Sequence, residues 1–322
     1  MPPRGRVVLY IVAVLVAATV SFLRTPYSLI LPGYAIDVSD VLSVEGHAPP
    51  ADRFYLTDVT LQESVSPIFL LQAFAPGGRV VKTYDILPKG VSIAQFETIM
   101  HRAMDESQSI AAVVAERAAN LPVAVPRSRV MIFRLEPGAP AAKILGPGDV
   151  LRSINGQPVR TTVQVQSALF RVKPGAFVSI GYEHRGMPRA ARVATLDLKG
   201  KARLGIYSSA DFDAPKLAVP VRFKPFNVSG SSGGLMFALD IYRSLRPPAA
   251  TAARKIAGTG TIAYDGVVGP IEGSPQKLIA ARRAGATVFL VPRENYPEVK
   301  SARDIRVIPV HTFDEALKAL SG

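Results

Sequence analysis

The chain has 322 residues, of which 48% are hydrophobic and 20% are charged, so it can bury sizeable cores and wholesale disorder is excluded. Its 38 Lys and Arg against 25 Asp and Glu give a formal net charge of +13, but these basic residues are scattered and seldom alternate with aromatic ones, so no nucleic-acid partner is predicted. The lack of cysteine excludes disulfides, thiolate metal sites and cysteine catalysis.

The N-terminal segment has the composition of a membrane anchor. Arg4 and Arg6 precede an apolar stretch at residues 7–23 that only Thr19 and Ser21 interrupt. As a helix this stretch would be roughly 25 Å long, slightly short of a bilayer core but able to span it with local thinning. The flanking positive charge predicts a cytoplasmic N-terminus, with the bulk of the chain outside the cytoplasm. A cleaved signal peptide is the alternative, although no small-residue cleavage site follows the stretch.

The next segment, residues 33–120, is predicted to contain strands followed by one or two helices. Apolar and polar residues alternate at 53–61 and 78–85, which is typical of half-buried strands. Ser92 and Gln95 form a capping-box pattern, and apolar residues then keep helical spacing to the end of the segment. We interpret the Met and Phe residues of this stripe as core side chains with no role in chemistry.

Residues 121–200 follow an order of strand, turn, short helix, strand, turn, helix and strand. Gly148 and Asp149 turn the chain into a strand, and Asn155 and Gly156 close a tight hairpin through positive φ. With an Ala pair before these turns and a helical pattern after them, the segment resembles a PDZ domain of the kind found beside bacterial proteases. Such domains usually add a peptide strand to an exposed sheet edge. No glycine loop for a peptide carboxylate is evident, so peptide binding and mere packing both stay open.

A loop at residues 230–234 (Gly-Ser-Ser-Gly-Gly) is the first candidate catalytic element. Apolar residues with a 3.6-residue period follow it, so Ser232 is predicted to lie just before a helix N-terminus, where unpaired backbone N–H groups can bind an oxyanion. Gly233 and Gly234 would let a substrate approach the backbone closely. A flexible turn would have the same composition, so this loop alone does not identify an enzyme.

Lys277 is the second candidate. A hairpin is predicted at residues 259–273, and Ser274 and Pro275 are predicted to cap and begin the helix that carries Lys277 in its first turn. The positive end of a helix and burial both disfavour an ammonium ion, so the pKa of this lysine is expected to fall toward the range where a neutral amine acts as a base. A Ser/Lys pair suffices for acyl transfer without a histidine.

The sequence gives little support for histidine catalysis, a metal site or a nucleotide-binding site. The four histidines have no metal-site spacing, and a Ser-His-Asp triad built on His311 is the alternative to the Ser/Lys pair. The remaining histidines, which we interpret as ordinary surface or core residues, are His47, His101 and His184. No metal or cofactor is predicted, and the chain has no Gly-x-x-x-x-Gly-Lys-Ser/Thr phosphate loop, so it carries no ATP site of that type.

From about Lys201 to its end, the chain resembles the proteolytic domain of Lon proteases. The family pattern Gly-Pro-Ser-Ala-Gly corresponds to the loop at residues 230–234. The later Thr-Gly, Pro-Ile and Lys-Leu-x-Ala-Ala patterns follow in the same order, at residues 259–260, 270–271 and 277–281.

This resemblance implies a catalytic pair and its supporting groups. Ser232 is expected to be the nucleophile and Lys277 its general base, with Thr259 as the hydroxyl that orients the lysine. Gly233, Gly234 and the neighbouring amides are expected to stabilise the oxyanion.

Three positions depart from the family pattern. Ser231 replaces the usual proline and Gly233 the usual alanine, which should leave the nucleophile loop less rigid. Glu272 stands where the family often has glycine, and an acid close to Lys277 would raise the pKa of that lysine and oppose its activation.

An N-terminal anchor, a PDZ-like module and a Lon-type domain without an ATPase together resemble the bacterial PDZ-containing Lon-like proteases. The predicted fold class is α+β (mixed α/β) and multidomain, with segments at residues 1–32, 33–120, 121–200 and 201–322. The resemblance implies an ATP-independent serine endopeptidase that cleaves exposed or unfolded proteins outside the cytoplasm, and it leaves a homo-oligomer open. The alternative is a catalytically weak or inactive scaffold whose PDZ-like module binds partner proteins at the membrane surface.

Overall fold

The computed structural model describes residues 4–83, 86, 91–198, 200–248 and 253–321. Its helices and strands in the first third of the chain are α1 (Arg4–Phe22), β1 (Tyr27–Asp37), α2 (Val38–Val41), β2 (Leu42–Val44), β3 (Arg53–Gln62), β4 (Arg79–Lys82) and α3 (Ile93–Ala118). The middle third contributes β5 (Ser128–Leu135), β6 (Val150–Ile154), β7 (Gln157–Pro158), α4 (Thr162–Phe170), β8 (Phe177–His184), β9 (Met187–Ala194), β10 (Leu196–Leu198), β11 (Lys201–Arg203) and β12 (Ile206–Phe212). The last third contributes β13 (Val221–Phe223), α5 (Gly234–Leu245), β14 (Lys255–Gly258), β15 (Thr261–Ile262), β16 (Val268–Gly269), α6 (Ser274–Arg283), β17 (Val288–Pro292), α7 (Tyr296–Val299), β18 (Arg306–Val310) and α8 (Phe313–Ala319). The mixed α/β class predicted from the sequence is confirmed.

The helix predicted from the N-terminal apolar stretch is present as α1. Its side chains at Tyr10, Val14 and Leu15 are exposed. Within the part of the chain that the structure describes, no helix combines the length and the apolar character needed to cross a membrane. The membrane anchor therefore gains no support here and stays a prediction.

The largest sheet joins the beginning of the chain to its end. Its strand order is β18-β17-β14-β3-β1-β4, with β3, β14, β17 and β18 parallel and β1 antiparallel to both of its neighbours. In the central pair, Arg53 lies opposite Lys255 and Leu56 lies opposite Gly258. The strands predicted at residues 53–61 and 78–85 are present as β3 and β4, although residues 84 and 85 lie outside the described part.

The large sheet joins two of the segments that were predicted from the sequence. Strands from segment 33–120 and strands from segment 201–322 share one sheet, so these two segments do not form separate layers. The sequence could not predict this shared sheet, because alternation of apolar and polar residues predicts a strand but not its partner. The partner of β3 here lies about 200 positions away. The segment boundaries themselves stay predictions.

A second sheet, with the order β12-β5-β6-β8-β9 and with β7 paired to β6, corresponds to the PDZ-like segment. The predicted hairpin is present, with φ values of 50° at Asn155 and 78° at Gly156. β12 was not predicted as part of this module. It pairs antiparallel with β5, so that Ile206 lies opposite Leu135 and Phe212 lies opposite Ser128.

α3 is a single continuous helix that connects the two sheets. It begins at the predicted capping box, in which Ser92 Oγ accepts from the Gln95 amide and Gln95 Oε1 accepts from the Ser92 amide. Ile110 and Val113 are fully buried, and they belong to a core that also includes residues of α5, β3 and β14. The helix therefore holds α5, and the loop in front of it, against the large sheet.

Candidate active site

Ser232 lies in the loop before α5, as predicted, and this loop is pinned to the segment after β14. The Ser232 carbonyl accepts one hydrogen bond from the Gly260 amide at 2.8 Å and another from Thr259 Oγ1 at 3.1 Å. On the other side, Ser107 Oγ of α3 donates to the Ser231 carbonyl at 3.1 Å. Contacts on both sides thus fix the backbone of the loop and leave the Ser232 hydroxyl at the cleft that it lines.

Lys277 reaches this hydroxyl from the first turn of α6. Its Nζ lies 2.6 Å from Ser232 Oγ and 3.1 Å from Thr259 Oγ1, and it donates to both in the observed arrangement. The lysine is only 3% exposed, and Thr259 is fully buried. The fold therefore brings together the serine, lysine and threonine named from the sequence. Their catalytic roles stay predictions.

The surroundings of Lys277 favour a neutral amine. Burial lowers the pKa of Lys277 to about 8, and the negative charge of Asp58 acts in the opposite direction. The position in the first turn of α6 adds the partial positive charge of a helix N-terminus, which also disfavours an ammonium ion. This is the direction that the sequence predicts for a lysine base.

The start of α6 differs from the prediction by one residue. Gly273, with φ of 75°, is the residue before the helix, Ser274 is its first residue, and Pro275 follows. Ser274 does not cap the helix, because its hydroxyl donates to the Glu298 carboxylate instead. The left-handed φ, which only glycine adopts without strain, explains why the turn into the helix falls on Gly273.

The backbone around the nucleophile offers candidate oxyanion donors. Among the described residues, no acceptor receives a hydrogen bond from the Ser232 or Gly233 amide, whereas the Gly234 amide donates to the Ser231 carbonyl at 3.4 Å. Gly234 also has a packing role. A Cβ there would lie 2.8 Å from Ser107 Oγ and 2.9 Å from Ile262 Cγ2. Because the Gly234 amide already has an acceptor, the amides of Ser232 and Gly233 are better candidates than the Gly234 amide for binding an oxyanion.

The expected effect of Glu272 on Lys277 is not found. The Glu272 carboxylate is mainly exposed and pairs with Lys201 and, at 3.7 Å, with Arg203. The acid whose charge does act on Lys277 is Asp58 of β3, which lines the same cleft. Asp58 could not be identified from the sequence, because no local pattern links it to a residue of α6.

Ser232 and Lys277 line a cleft of about 360 Å³ whose walls come from several parts of the chain. α3 contributes Ile99 and Met100, and α4 contributes Leu169 and Phe170. Ile99 and Met100 belong to the helical stripe that the sequence assigns to the core, and no residue of α4 was named as a site residue. Spacing could not have revealed them, because an apolar residue facing a cleft and one facing a core have the same periodicity.

The alternative triad based on His311 is not assembled. His311 Nδ1 lies 3.6 Å from the Glu294 carboxylate, and His184 Nδ1 lies 2.8 Å from Asp149. None of the described residues that line the cleft is a histidine.

Two family models match the chain. Residues 103–195 match the model of the PDZ domain, and residues 188–321 match that of the Lon protease (S16) C-terminal proteolytic domain. The PDZ match begins inside α3 and ends before β12. The strand β12 therefore lies in the part of the chain that matches the Lon-type model, although it completes the PDZ sheet.

Several bacterial Lon proteases are similar to parts of the chain. The Lon protease of Chloroflexus aggregans is 39% identical over 70 residues, which is 20% of this chain and 8% of that protease. Lon protease 2 of Bacillus subtilis is 33% identical over 91 residues, 28% of this chain and 16% of its own length. Lon protease 3 of Sorangium cellulosum is 27% identical over 151 residues, 45% of this chain and 18% of its own length. The matched segments thus span less than a fifth of these proteases.

Among solved structures, the PDZ domain of the SdrC-like protein from Listeria monocytogenes matches with 26% identity and a TM-score of 0.24, over 24% of this chain and 85% of that domain. The corresponding domain from Listeria innocua matches with 28% identity and a TM-score of 0.24, over 25% and 92%. The two family models together account for residues 103–321. The chain therefore combines a PDZ domain with a Lon-type C-terminal proteolytic domain.

Proposed function

We propose that the protein is an ATP-independent serine endopeptidase that uses Ser232 as its nucleophile and Lys277 as its general base. The observation that carries the proposal is the 2.6 Å contact between Lys277 Nζ and Ser232 Oγ at a lysine that is 3% exposed. Similarity of residues 188–321 to the Lon proteolytic domain supports serine peptidase chemistry. The contact between the two side chains supports the finer assignment of roles.

In the proposed reaction, neutral Lys277 takes the proton of the Ser232 hydroxyl as Oγ attacks the carbonyl carbon of a peptide bond. The amides of Ser232 and Gly233 bind the oxyanion of the tetrahedral intermediate. Protonated Lys277 then gives its proton to the leaving amine, the C–N bond breaks, and an ester to Ser232 remains. Water, deprotonated by Lys277, hydrolyses this ester and restores the hydroxyl. Thr259 holds the amine toward Oγ through its 3.1 Å contact.

The proposed substrates are exposed or unfolded segments of proteins. The proposed independence from ATP is supported by the lack of a Gly-x-x-x-x-Gly-Lys-Ser/Thr motif in this chain. Without ATP-driven unfolding of the substrate, only extended segments can reach a cleft of this size.

The proposal is tested by incubating the purified protein, without nucleotide, with a chemically unfolded protein and identifying the products by mass spectrometry. The wild type should cleave internal peptide bonds, and Ser232→Ala should reduce the rate to background. Ser301→Ala removes an exposed hydroxyl far along the chain and serves as the matched control, with unchanged cleavage. Cleavage that survives in Ser232→Ala would show that another group is the nucleophile.

We also propose that the N-terminal segment attaches the protein to the cell membrane, with the catalytic part outside the cytoplasm. The basic residues before an apolar stretch and the exposed side chains of Tyr10, Val14 and Leu15 support this location. Fractionation should recover the full chain with membranes after an alkaline carbonate wash, and a variant without residues 1–24 in the soluble fraction. Full release of the complete chain by carbonate would reject attachment of this kind.

A further inference from the structure

α3 holds the nucleophile loop at two points on one of its faces. The Met100 carbonyl accepts a hydrogen bond from the Gly230 amide at 2.9 Å, and Ser107 Oγ donates to the Ser231 carbonyl at 3.1 Å. Met100 and Ser107 are about two helical turns apart, so they lie on the same side of the helix. The loop is thus attached to α3 immediately before the nucleophile.

The contact at Ser231 fixes the orientation of a whole peptide unit. A peptide unit is planar and trans, so its C=O and N–H groups point in opposite directions. The Ser231 carbonyl and the Ser232 amide belong to the same unit. Because Ser107 holds this carbonyl toward α3, the Ser232 N–H is directed away from α3.

The next peptide unit is oriented in the same way from the other side of the loop. The Ser232 carbonyl accepts from the Gly260 amide at 2.8 Å and from Thr259 Oγ1 at 3.1 Å, and the Gly233 amide belongs to the same unit. Each of the two candidate oxyanion donors is therefore oriented through the carbonyl of its own peptide unit. Ser107 supplies the contact that orients the first of them.

The Ser231 carbonyl has little else to hold it. Among the described residues, its one other donor is the Gly234 amide, at 3.4 Å, which is long for a hydrogen bond. Ser231 stands where the Lon-type pattern has proline, whose ring would fix φ at this position. Gly230, with φ of 93°, precedes it and adds backbone freedom. The orientation of this peptide unit therefore depends mainly on Ser107.

The surroundings of Ser107 make it a rigid and dry donor. Its side chain is 1% exposed, so water does not compete for the Ser231 carbonyl on this side. A Cβ at position 234 would lie 2.8 Å from Ser107 Oγ, so Gly234 leaves the space that this hydroxyl occupies. The preceding residue, Glu106, accepts from the amide and the hydroxyl of Thr162 at 3.2 and 2.6 Å, which fixes this turn of α3 against α4.

We propose that Ser107 is a positioning residue of the oxyanion site. By holding the Ser231 carbonyl, it directs the Ser232 amide at the oxygen that becomes negatively charged in the tetrahedral intermediate. This inference rests on the proposed peptidase function and assigns part of it to α3, which lies outside residues 188–321 that match the Lon-type model. Among the contacts of the described residues, the Ser107 hydroxyl has none with Lys277 or with Ser232 Oγ, so it acts through the backbone.

The first test compares Ser107→Ala with Ser109→Ala. The control removes another buried hydroxyl of α3 that, among the described residues, has no hydrogen bond to residues 230–234. With a short peptide that the wild type cleaves, Ser107→Ala should lower kcat about tenfold, less than the factor of about 10² to 10³ for complete loss of an oxyanion donor. KM should change less than about threefold, because the oxyanion exists only in the transition state. Ser109→Ala should match the wild type, and a wild-type kcat in Ser107→Ala would overturn the proposal.

A peptide boronic acid separates the positioning role from a general distortion of the cleft. Ser232 Oγ bonds to its boron while the hydroxyl proton passes to Lys277, and a boron-bound oxygen takes the place of the oxyanion. Ser107→Ala should weaken this inhibitor by the same factor as it lowers kcat/KM, whereas the matching unreactive peptide amide should bind as to the wild type. The midpoint of the pH profile should also stay in place. Equal weakening of both ligands would overturn the proposal.

Ser107→Cys keeps the size of the side chain but offers a weaker donor, so it covers the case in which Ser107→Ala does not fold. It should lower kcat by about threefold or more, and a wild-type kcat would overturn the proposal.

Hydrogen exchange of the loop gives a readout that does not depend on peptidase activity. If the wild type cleaves nothing, the proposed function fails, but exchange at residues 230–234 still decides the role of Ser107. Ser107→Ala should accelerate this exchange by about tenfold, because the loop opens more often when one of its hydrogen bonds is lost. Ser109→Ala should leave it unchanged. Exchange in Ser107→Ala at the wild-type rate would show that Ser107 does not hold the loop.

Discussion

At the scale of single residues, the protonation state of Lys277 limits the proposed reaction, because only a neutral amine can accept the Ser232 proton. Burial lowers the pKa of Lys277 to about 8. We therefore predict that kcat/KM for a short neutral peptide rises with pH with a midpoint at about pH 8 and levels off about one pH unit above it. Initial rates measured across a series of buffers check this. A profile that is flat from about pH 6 to 9 would contradict a lysine base.

Asp58 is predicted to influence the pH at which kcat/KM rises. Its negative charge raises the pKa of Lys277, and its own pKa is raised by burial, so removal of the charge should be felt directly by the amine. Asp58→Asn should shift the midpoint of the rise in kcat/KM to lower pH. The exposed Asp105→Asn on α3 should leave it unchanged. A midpoint that stays in place, or moves upward, in Asp58→Asn would refute this role.

Local sequence patterns could point to Ser232 and Lys277 because each lies at the start of a helix, whereas Thr259 was named from the family resemblance. Asp58 could not be predicted in this way. The position of Asp58 is set by the pairing of β1 with β3, whose register shifts between Pro32 and Ala35. At this shift Gly33 packs directly against Asp58, so that a Cβ on Gly33 would lie 2.8 Å from the Asp58 carbonyl carbon. Such a contact depends on tertiary structure and produces no periodic pattern in the sequence.

At the scale of elements, the junction of α3 and α4 carries a buried acid. Burial raises the pKa of Glu106 to about 7 from 4.5, and the hydrogen bonds from Thr162 act in the opposite direction. Between these two values the unfolded chain releases the proton while the folded protein retains it, so this group makes the free energy of unfolding decrease as pH rises through that range.

Glu106→Gln should remove this pH dependence. The amide oxygen can still accept from Thr162, and no charge is buried, so the variant should exceed the wild type in stability by about 1 kcal/mol at pH 8 and by less at pH 5. Urea unfolding at the two pH values measures the difference. Glu97→Gln, on the exposed side of α3, is the control and should match the wild type. Equal losses of stability at both pH values in Glu106→Gln would contradict the prediction.

The elements themselves were largely predictable, whereas their partners were not. The capping box at Ser92 and the hairpin at Asn155 follow from turn and cap chemistry, which is local. β12 begins eleven positions beyond the end of the PDZ match at residue 195, yet it completes the PDZ sheet. Neither its sequence nor its position reveals this, because an edge strand is defined by the strand that it covers.

At the scale of the whole molecule, the N-terminal strands stabilise the Lon-type domain. β14 lies between β17 and β3, so the sheet behind α5 and α6 is incomplete without residues 53–62. Phe54 and Leu56 of β3 are buried in the same core as Leu290 of β17. The part that matches the Lon-type model therefore needs a strand from the beginning of the chain.

A fragment of residues 201–322 is therefore predicted not to fold independently. It should show no cooperative thermal transition by circular dichroism, whereas a fragment of residues 25–322 should unfold in one transition. The longer fragment keeps β1, β3 and α3 and serves as the control. A cooperative transition of the short fragment at the temperature of the longer one would show that the N-terminal strands are dispensable.

The most direct test of the Ser/Lys account is site-resolved acylation. A serine-directed acylating probe, followed by peptide mapping, should modify Ser232, and Lys277→Ala should slow this reaction by a factor of about 10² to 10⁴, the usual contribution of a general base. Lys300→Ala, at an exposed lysine, should react at the wild-type rate. Modification of a different serine, or a rate at Ser232 that does not depend on Lys277, would contradict the account.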